Sequence, residues 1–384
     1  MPFLEISRAR PAAVAWTDNE PEPLKINAVR VRIDRFGVSA NNITYVALAC
    51  EGTRFGYAKF FPTGAPDKTI HMPVWGYATV THSNHSKVLV GTRIYGYYPA
   101  GSSCDLVPNT ITDNGFIVSR PQLPAEYAAY NSYIFAATDP FYLPRYENAT
   151  IVFRPLWSTS FLLQDYLEKN NLFGASTVVI SSASAKTSFC LAHLLHLKGI
   201  RCIGLTSKGN QAWTRRLGVY TDIVLYSDLE AQLACHTKGD GIVFVDIAGD
   251  TSIRRRVFAA SSAGGNAAAV RKSVGVGMAH FNPDEPPAAG AKVRDAVETE
   301  VFFAPAWYQV RARELGPEEL QRRMLKSWFA MLSRVDQWMQ FKEVRGAEEA
   351  KKVYLEFLAG KADAKIGVLA SIPGGEIGSK VSKL

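Results

Sequence analysis

Between residues 176 and 250 the chain repeats a short apolar run followed by a helical segment, and this rhythm restricts the fold more than any other feature. Thr177-Val178-Val179-Ile180 is continuous and β-branched, as strands buried on both faces of a parallel sheet are. Residues 187–198 read as a helix with Gly199 as its C-cap. Residues 200–205 form a second strand, 210–217 a second helix ending at Gly218, 222–226 a third strand and 242–246 a fourth. Units of this length wind into an α/β domain: a doubly wound parallel sheet with right-handed crossovers. In such a sheet ligands lie beyond the carboxyl ends of the strands, so the loops there are the first place to look for chemistry.

The chain before this region has a different character. Residues 28–34 (AVRVRID) and 78–81 (ATVT) alternate apolar and polar, and residues 87–97 follow after a polar turn. This half reads as a small β-rich, barrel-like domain without a long helix. Between Pro124 and Tyr142, where Tyr127, Tyr130, Tyr133 and Tyr142 cluster, a helix with a connecting loop is expected. Ser158, Thr159 and Ser160 have the chemistry to cap an amphipathic helix that follows them. Residues 318–340 are a charged amphipathic helix with Leu320, Met324, Trp328, Met331 and Leu332 on one side, 348–358 another helix, and 364–369 a closing strand. These shifts place a β-rich catalytic domain at 1–150, a cofactor domain at 151–310, a return to the first domain at 311–370 and a flexible tail at 371–384.

A length of 384 residues suits two to three domains. The net charge of +8 (43 basic minus 35 acidic residues) permits an anionic ligand, but the basic residues show no aromatic interleaving, so nucleic acid is not indicated. The five cysteines lack CxxC spacing, which argues against a disulfide framework and most structural zinc sites. No run of about 18 uncharged apolar residues offers a membrane span. The segment MPFLEISRARPAAVAW lacks the apolar core of a signal peptide. Ser382-Lys383-Leu384 spells a peroxisomal address, so import into the peroxisome matrix through its receptor is expected. No GxSxG elbow is present, which disfavours an α/β-hydrolase.

The loop after the first parallel strand, Ser181-Ser182-Ala183-Ser184-Ala185-Lys186-Thr187, has no glycine, unlike a dinucleotide fingerprint. Its hydroxyls (Ser181, Ser182, Ser184, Thr187) and Lys186 stand at a helix N-terminus, which attracts anions. After the second strand come Thr206, Ser207, Lys208 and Asn210, with Arg215 further on, and no acid to bind an unphosphorylated ribose. A 2′-phosphate suits this set, so if a nicotinamide cofactor binds, NADP is favoured; a solvated basic loop is the alternative. Asp246 and Gly249 after the fourth strand, and Gly275 and Gly277 after the fifth, are expected to flank a nicotinamide ring.

Several segments together carry a resemblance: ANNITY after a strand, VWGYATVTHSNHSKVLVGTRIYGYYP, QAWTRRLGVYTDIVLY and AKKVYLEFLAGKADAKIGVL. The chain resembles the medium-chain dehydrogenase/reductase superfamily, and RPLWSTSFLLQDYL and SSASAKTSF resemble an uncharacterised branch of it, known as a domain of unknown function. The resemblance implies a GroES-like β-rich domain beside a Rossmann-like domain, and NADPH-dependent hydride transfer to an enone, enoyl thioester or ketone. Trp75-Gly76-Tyr77 stands where zinc-dependent members carry Gly-His-Glu, and the four-cysteine lobe is missing, so no metal is expected; His71, His82 and His85 lack cysteine partners. For the acid the choice is Tyr45 or Tyr77, then Asn42, Thr44 and His280, with Tyr45 expected to line the active-site cleft. The implied partner is a small carbonyl or acyl-CoA-like molecule, with a homodimer as a possible assembly. A non-redox lyase, hydrolase or isomerase, or a ligand-binding protein, is the alternative on the same scaffold.

Overall fold

The computed structural model describes residues 1–50, 56–123, 125–236, 241–263, 269–277 and 299–374. Its strands up to the start of the parallel sheet are β1 (Pro2–Ser7), β2 (Val14–Asp18), β3 (Val29–Val38), β4 (Thr69–His71), β5 (Pro73–Ser83), β6 (Arg93–Pro99), β7 (Ser103–Leu106), β8 (Pro108–Thr112), β9 (Gly115–Val118) and β10 (Ser132–Phe135). Then come β11 (Thr177–Ile180), β12 (Arg201–Thr206), β13 (Asp222–Leu225), β14 (Ile242–Asp246), β15 (Val270–Gly275), β16 (Thr299–Val301), β17 (Gln340–Arg345) and β18 (Ile366–Ser371). The α-helices are α1 (Ala40–Cys50), α2 (Glu147–Lys169), α3 (Lys186–Leu197), α4 (Gln211–Arg216), α5 (Leu229–His236), α6 (Thr251–Ala263), α7 (Ala304–Leu315), α8 (Pro317–Trp338) and α9 (Ala347–Leu358). The described chain divides into two compact units, one drawn from Met1–Val152 and Gln340–Leu384, the other from Phe153–His280 and Gly290–Met339.

The first unit is built on a nine-stranded sheet in the order β17-β18-β3-β5-β6-β10-β9-β8, with β7 also paired to β3, and on a three-stranded sheet β2-β1-β4. Every described pairing here is antiparallel except β17 with β18. Val29, Val31 and Ile33 of β3 are buried in alternation, as a strand with one face on a core requires. Large aromatic side chains fill that core: Tyr77, Tyr97, Tyr98, Tyr133, Phe36 and Phe116 are almost completely buried.

Three expectations need correcting in this half. The segment from Ala40 to Cys50 is an α-helix in a half where no long helix was expected. Ser39 and Asn42 form a reciprocal cap: the Asn41 N–H donates to Ser39 Oγ at 3.3 Å, and Asn42 Oδ1 accepts the Ser39 N–H at 2.8 Å. Ile43, Val46 and Ala47 then bury one face. Second, the tyrosine-rich stretch is a short 3-10 turn (Ala125–Asn131) followed by β10, because Tyr133 and Ile134 pair with Phe116 and Tyr95 in the sheet. Third, the strand expected from residue 87 begins at Arg93; residues 84–91 are spent on the turn back from β5.

The second unit holds six parallel strands in the order β13-β12-β11-β14-β15-β16. Numbered within the sheet this is 3-2-1-4-5-6, the order of doubly wound dinucleotide-binding domains. Val179, Ile203, Leu205, Val224, Ile242 and Phe244 form its interior with Leu229, Leu233 and Val257 of α5 and α6. Ser158, Thr159 and Ser160 do not cap a helix start. They lie inside α2, where Thr159 and Ser160 donate back to the Pro155 and Leu156 carbonyls at 3.0 Å. The apolar stripe of α8 is buried as its periodicity suggests, with Trp328 5.1 Å from Trp157 and Trp338 5.5 Å from Phe189.

Candidate functional site

The strand order reverses between β11 and β14, and at such a switch point the two diverging loops open a crevice. The residues there are tied tightly together. The Ser181 N–H donates to the Val245 carbonyl at 3.0 Å. Ser181 Oγ donates to Asp246 Oδ1 at 3.1 Å and accepts the Ile247 N–H at 2.9 Å. Asp246 is 0% exposed and also accepts the Gly249 N–H and an Arg254 Nη, each at 3.0 Å. A buried carboxylate needs such company, because an unpaired charge in that environment is costly. Ser181, Asp246 and Gly249, expected to contact a cofactor, therefore frame the switch point with their polar atoms already engaged.

The first loop continues into α3. Ser182 has a φ of +48°, a left-handed conformation usually left to glycine. Its N–H donates to Tyr226 Oη at 2.7 Å, and Tyr220 Oη donates to the Ala183 carbonyl at 2.9 Å. Ala185 gives α3 no side-chain cap, so no cap side chain competes for the helix's first amides. By contrast, α6 is capped by the residue that precedes it, Asp250 Oδ1 accepting the Ser252 and Ile253 N–H groups at 2.9 and 3.2 Å. Ser182, Ser184 and Thr187 are half-buried around the uncapped end, and Lys186 is buried beside them. Of the two helix starts at the switch point, only that of α3 suits a phosphate.

At the end of β12, Thr206 is 1% exposed and its Oγ1 has no hydrogen-bond partner among the described residues. A buried orphan hydroxyl at a strand end is the kind of group a bound polar ligand satisfies. Ser207 and Lys208 are exposed, and Asn210 Nδ2 reaches Ser207 Oγ at 3.4 Å. Gly275 ends β15 and Gly277 follows it, and between them the Val276 N–H donates to the Asp246 carbonyl at 2.9 Å, which brings this loop against the switch point. His280 lies outside the described residues. The residues present fit a phosphorylated dinucleotide: an uncapped helix start, an unsatisfied hydroxyl, and an exposed ammonium with no carboxylate between Leu205 and Asn210.

In the first unit the expected acid sits in a dense aromatic cluster. Tyr45, on α1, is 5% exposed, and its ring lies 4.8 Å from Tyr57 and 5.6 Å from Tyr97. Trp75 Nε1 donates to Tyr45 Oη at 3.2 Å, and the Tyr57 and Tyr130 hydroxyls are 3.0 Å apart. Burial pushes the Tyr45, Tyr57, Tyr97 and Tyr130 phenols above their ordinary range, so all four hydroxyls keep their protons. Asn42 is buried with its amide spent on the turn, accepting from Ser39 and donating to the Pro73 carbonyl at 2.8 Å. Tyr77 is buried under the Arg93 guanidinium, 4.8 Å above its ring. Thr44 is buried on α1. Sequence reasoning did not single out Trp75 as a donor to Tyr45, nor Tyr220 and Tyr226 as loop partners; the sequence carries no local signal for either, since all three partnerships cross between elements.

Among the described residues no group of three His, Cys, Asp or Glu side chains is arranged to hold a metal ion, and no helix is long and apolar enough to cross a membrane. His71 lies 3.6 Å from Glu5 and against the Phe3 ring.

The two units, one on a long, mostly antiparallel sheet and one on a six-stranded 3-2-1-4-5-6 parallel sheet, give the chain a fold it shares with several solved structures. CurA from Vibrio vulnificus, solved in complex with NADPH, matches with a TM-score of 0.58 at 17% identity, over 97% of this chain and 99% of that one. A quinone oxidoreductase from Pseudomonas syringae pv. tomato DC3000 matches at 0.55 and 15%, and the CurF ER cyclopropanase of the curacin A biosynthetic pathway at 0.54 and 14%, each over 97% of this chain and 99% of the other. Within that fold the chain belongs to the family described as "Protein of unknown function (DUF2855)", which matches residues 36–363. No curated protein matches the chain by sequence.

Proposed function

We propose that this protein is a zinc-independent, NADPH-dependent reductase acting on an enone, an enoyl thioester or a ketone. The observation that carries the reading is the second strand end, where Thr206, Ser207 and Lys208 stand without an acid beside the uncapped start of α3. The likeness to CurA, whose structure holds NADPH, supports it.

NADPH, when bound, supplies the hydride. The chain's own residues do the rest. Ser184, Thr187 and the first amides of α3 hold the pyrophosphate, with Lys186 adding positive charge. Thr206, Ser207, Lys208 and Asn210 hold the ribose 2′-phosphate, and Gly275 and Gly277 leave room for the nicotinamide. Reduction of a C=C bond conjugated to a carbonyl adds hydride at the β-carbon and a proton at the α-carbon. Tyr45 is assigned as the source of that proton, with Trp75 Nε1 donating to its oxygen and stabilising the phenolate left behind. The net charge of +8 favours anionic substrates such as acyl-CoA thioesters. Ser382-Lys383-Leu384, outside the described residues, supports a peroxisomal location.

Titration of purified protein with NADPH and NADH, followed by nicotinamide fluorescence, tests the reading. NADPH is expected to bind at least about tenfold more tightly, since a charge-assisted phosphate contact contributes roughly 1.5–3 kcal/mol. Equal affinities remove the argument from the second strand end. Binding of neither favours non-redox chemistry on the same scaffold.

A further inference from the structure

We infer that Tyr226 and Tyr220 do for the β11–α3 loop what glycine does in glycine-rich phosphate loops: they hold its backbone in the conformation that leaves the α3 amides facing a ligand. The inference rests on the cofactor reading above and names two positioning residues for it. A loop this tight needs a residue in the left-handed region, and here that residue is Ser182, at φ +48°. A side chain makes that conformation unfavourable by an amount that corresponds to roughly five- to thirtyfold in an equilibrium. Something outside the loop must therefore hold it.

The two tyrosines are placed to do so. Tyr226 follows β13, and its hydroxyl accepts the Ser182 N–H at 2.7 Å. Tyr220 precedes β13, and its hydroxyl donates to the Ala183 carbonyl at 2.9 Å. Consecutive loop residues are thus gripped from the same strand's two ends, one by its donor and one by its acceptor. The Ala185 N–H donates to the Ser182 carbonyl at 2.7 Å, so the backbone fixed at Ser182 is passed directly to the residue before α3. The glycine the arrangement needs is not in the loop but on the neighbouring strand. At Gly204, a Cβ would stand 2.8 Å from Ala183 Cβ and 2.9 Å from the Tyr220 ring, so any other residue pushes the tyrosine off the loop. Burial raises both phenols above their ordinary range, so the hydroxyls keep their protons and their roles.

The test is a rescue. Tyr226→Phe removes only the oxygen that accepts the Ser182 N–H; it should weaken NADPH binding by roughly five- to thirtyfold. Ser182→Gly alone should change affinity by no more than about twofold, because glycine adopts positive φ without the penalty. The double variant should return to within about threefold of wild type. A double variant as weak as Tyr226→Phe would mean that the hydroxyl touches the cofactor, and would overturn the inference; so would a Tyr226→Phe protein that binds like wild type. Exchange of the Ser182 amide, measured by NMR without ligand, separates this inference from the cofactor reading. If wild type binds no NADPH, that reading fails, while a Ser182 amide protected in wild type and unprotected in Tyr226→Phe upholds the tyrosine clamp. A Ser182 amide that exchanges equally fast in both overturns it.

Discussion

Asp246→Asn is the substitution that bears most directly on the switch point. The asparagine has the same shape, and its Oδ1 can still accept from Ser181 and Gly249. Its other atom becomes an amide nitrogen facing the Arg254 guanidinium, where the carboxylate oxygen stood 3.0 Å away. Flipping the amide only moves the conflict, since the nitrogen would then face the Gly249 N–H. Removing one member of a fully buried ion pair costs about 3–5 kcal/mol. The Asp246 side chain is fully buried but that of Arg254 is 16% exposed, so water recovers part of the loss and about 2–3 kcal/mol is expected. Urea unfolding followed by tryptophan fluorescence measures it, because Trp157, Trp213, Trp328 and Trp338 all lie in the second unit. Adding Arg254→Met should recover part of the loss, the two changes being less than additive. A loss below about 1 kcal/mol, or strict additivity in the double variant, would refute the account of Asp246 as the buried anchor of both loops.

Lys208→Glu should weaken NADPH binding by about tenfold or more and leave NADH within about twofold; isothermal titration of both cofactors checks this, and a parallel loss of both would place Lys208 away from the 2′-phosphate. Tyr45→Phe should lower turnover by about 10²–10⁴-fold with the NADPH dissociation constant unchanged, whereas a rise in KM alone would make Tyr45 a wall. His193 is held down to about 4 by burial first, then by Arg334 and His196, so the unfolded chain takes up its proton before the folded one does. Stability that is present above pH 6.5 is lost as the pH falls from there towards 4, and His193→Phe should remove about 2 kcal/mol of the difference between pH 7 and pH 5 in chemical denaturation; an unchanged pH slope counts against it. Deleting Ser382-Lys383-Leu384 should leave cofactor binding unchanged and make a fluorescent fusion cytosolic, and a fusion that still reaches peroxisomes places the address elsewhere.

Much of the parallel sheet was legible in one dimension. Its central strands β11 and β14 are buried on both faces, so residues 178–180 and 242–245 appear as unbroken apolar runs, and the glycines at 199 and 218 punctuate the helices of the same unit. The absence of an acid between Leu205 and Asn210 is likewise a fact of sequence alone, as is the lack of glycine in the Ser181–Thr187 loop. The first unit was harder to read. Ser39 and Asn42 carried a capping signal for α1 that went unused, and a mixed run of tyrosines gives no period by which to tell a helix from a turn and a strand.

What the tertiary structure alone decided is which polar atoms remain available. Asp246 looked like a cofactor ligand because of its place at the end of β14, yet it is fully buried and bound to Ser181, Gly249 and Arg254. Ser182 looked like one more hydroxyl, yet it is the strained hinge of the loop, held by a tyrosine forty-four residues away. Period and composition report which face of an element is apolar, because that is set by neighbours three or four residues along the chain. Hydrogen bonds between strand ends join residues whose separation in sequence carries no pattern, so only the folded chain brings Tyr226 to Ser182 and Arg254 to Asp246.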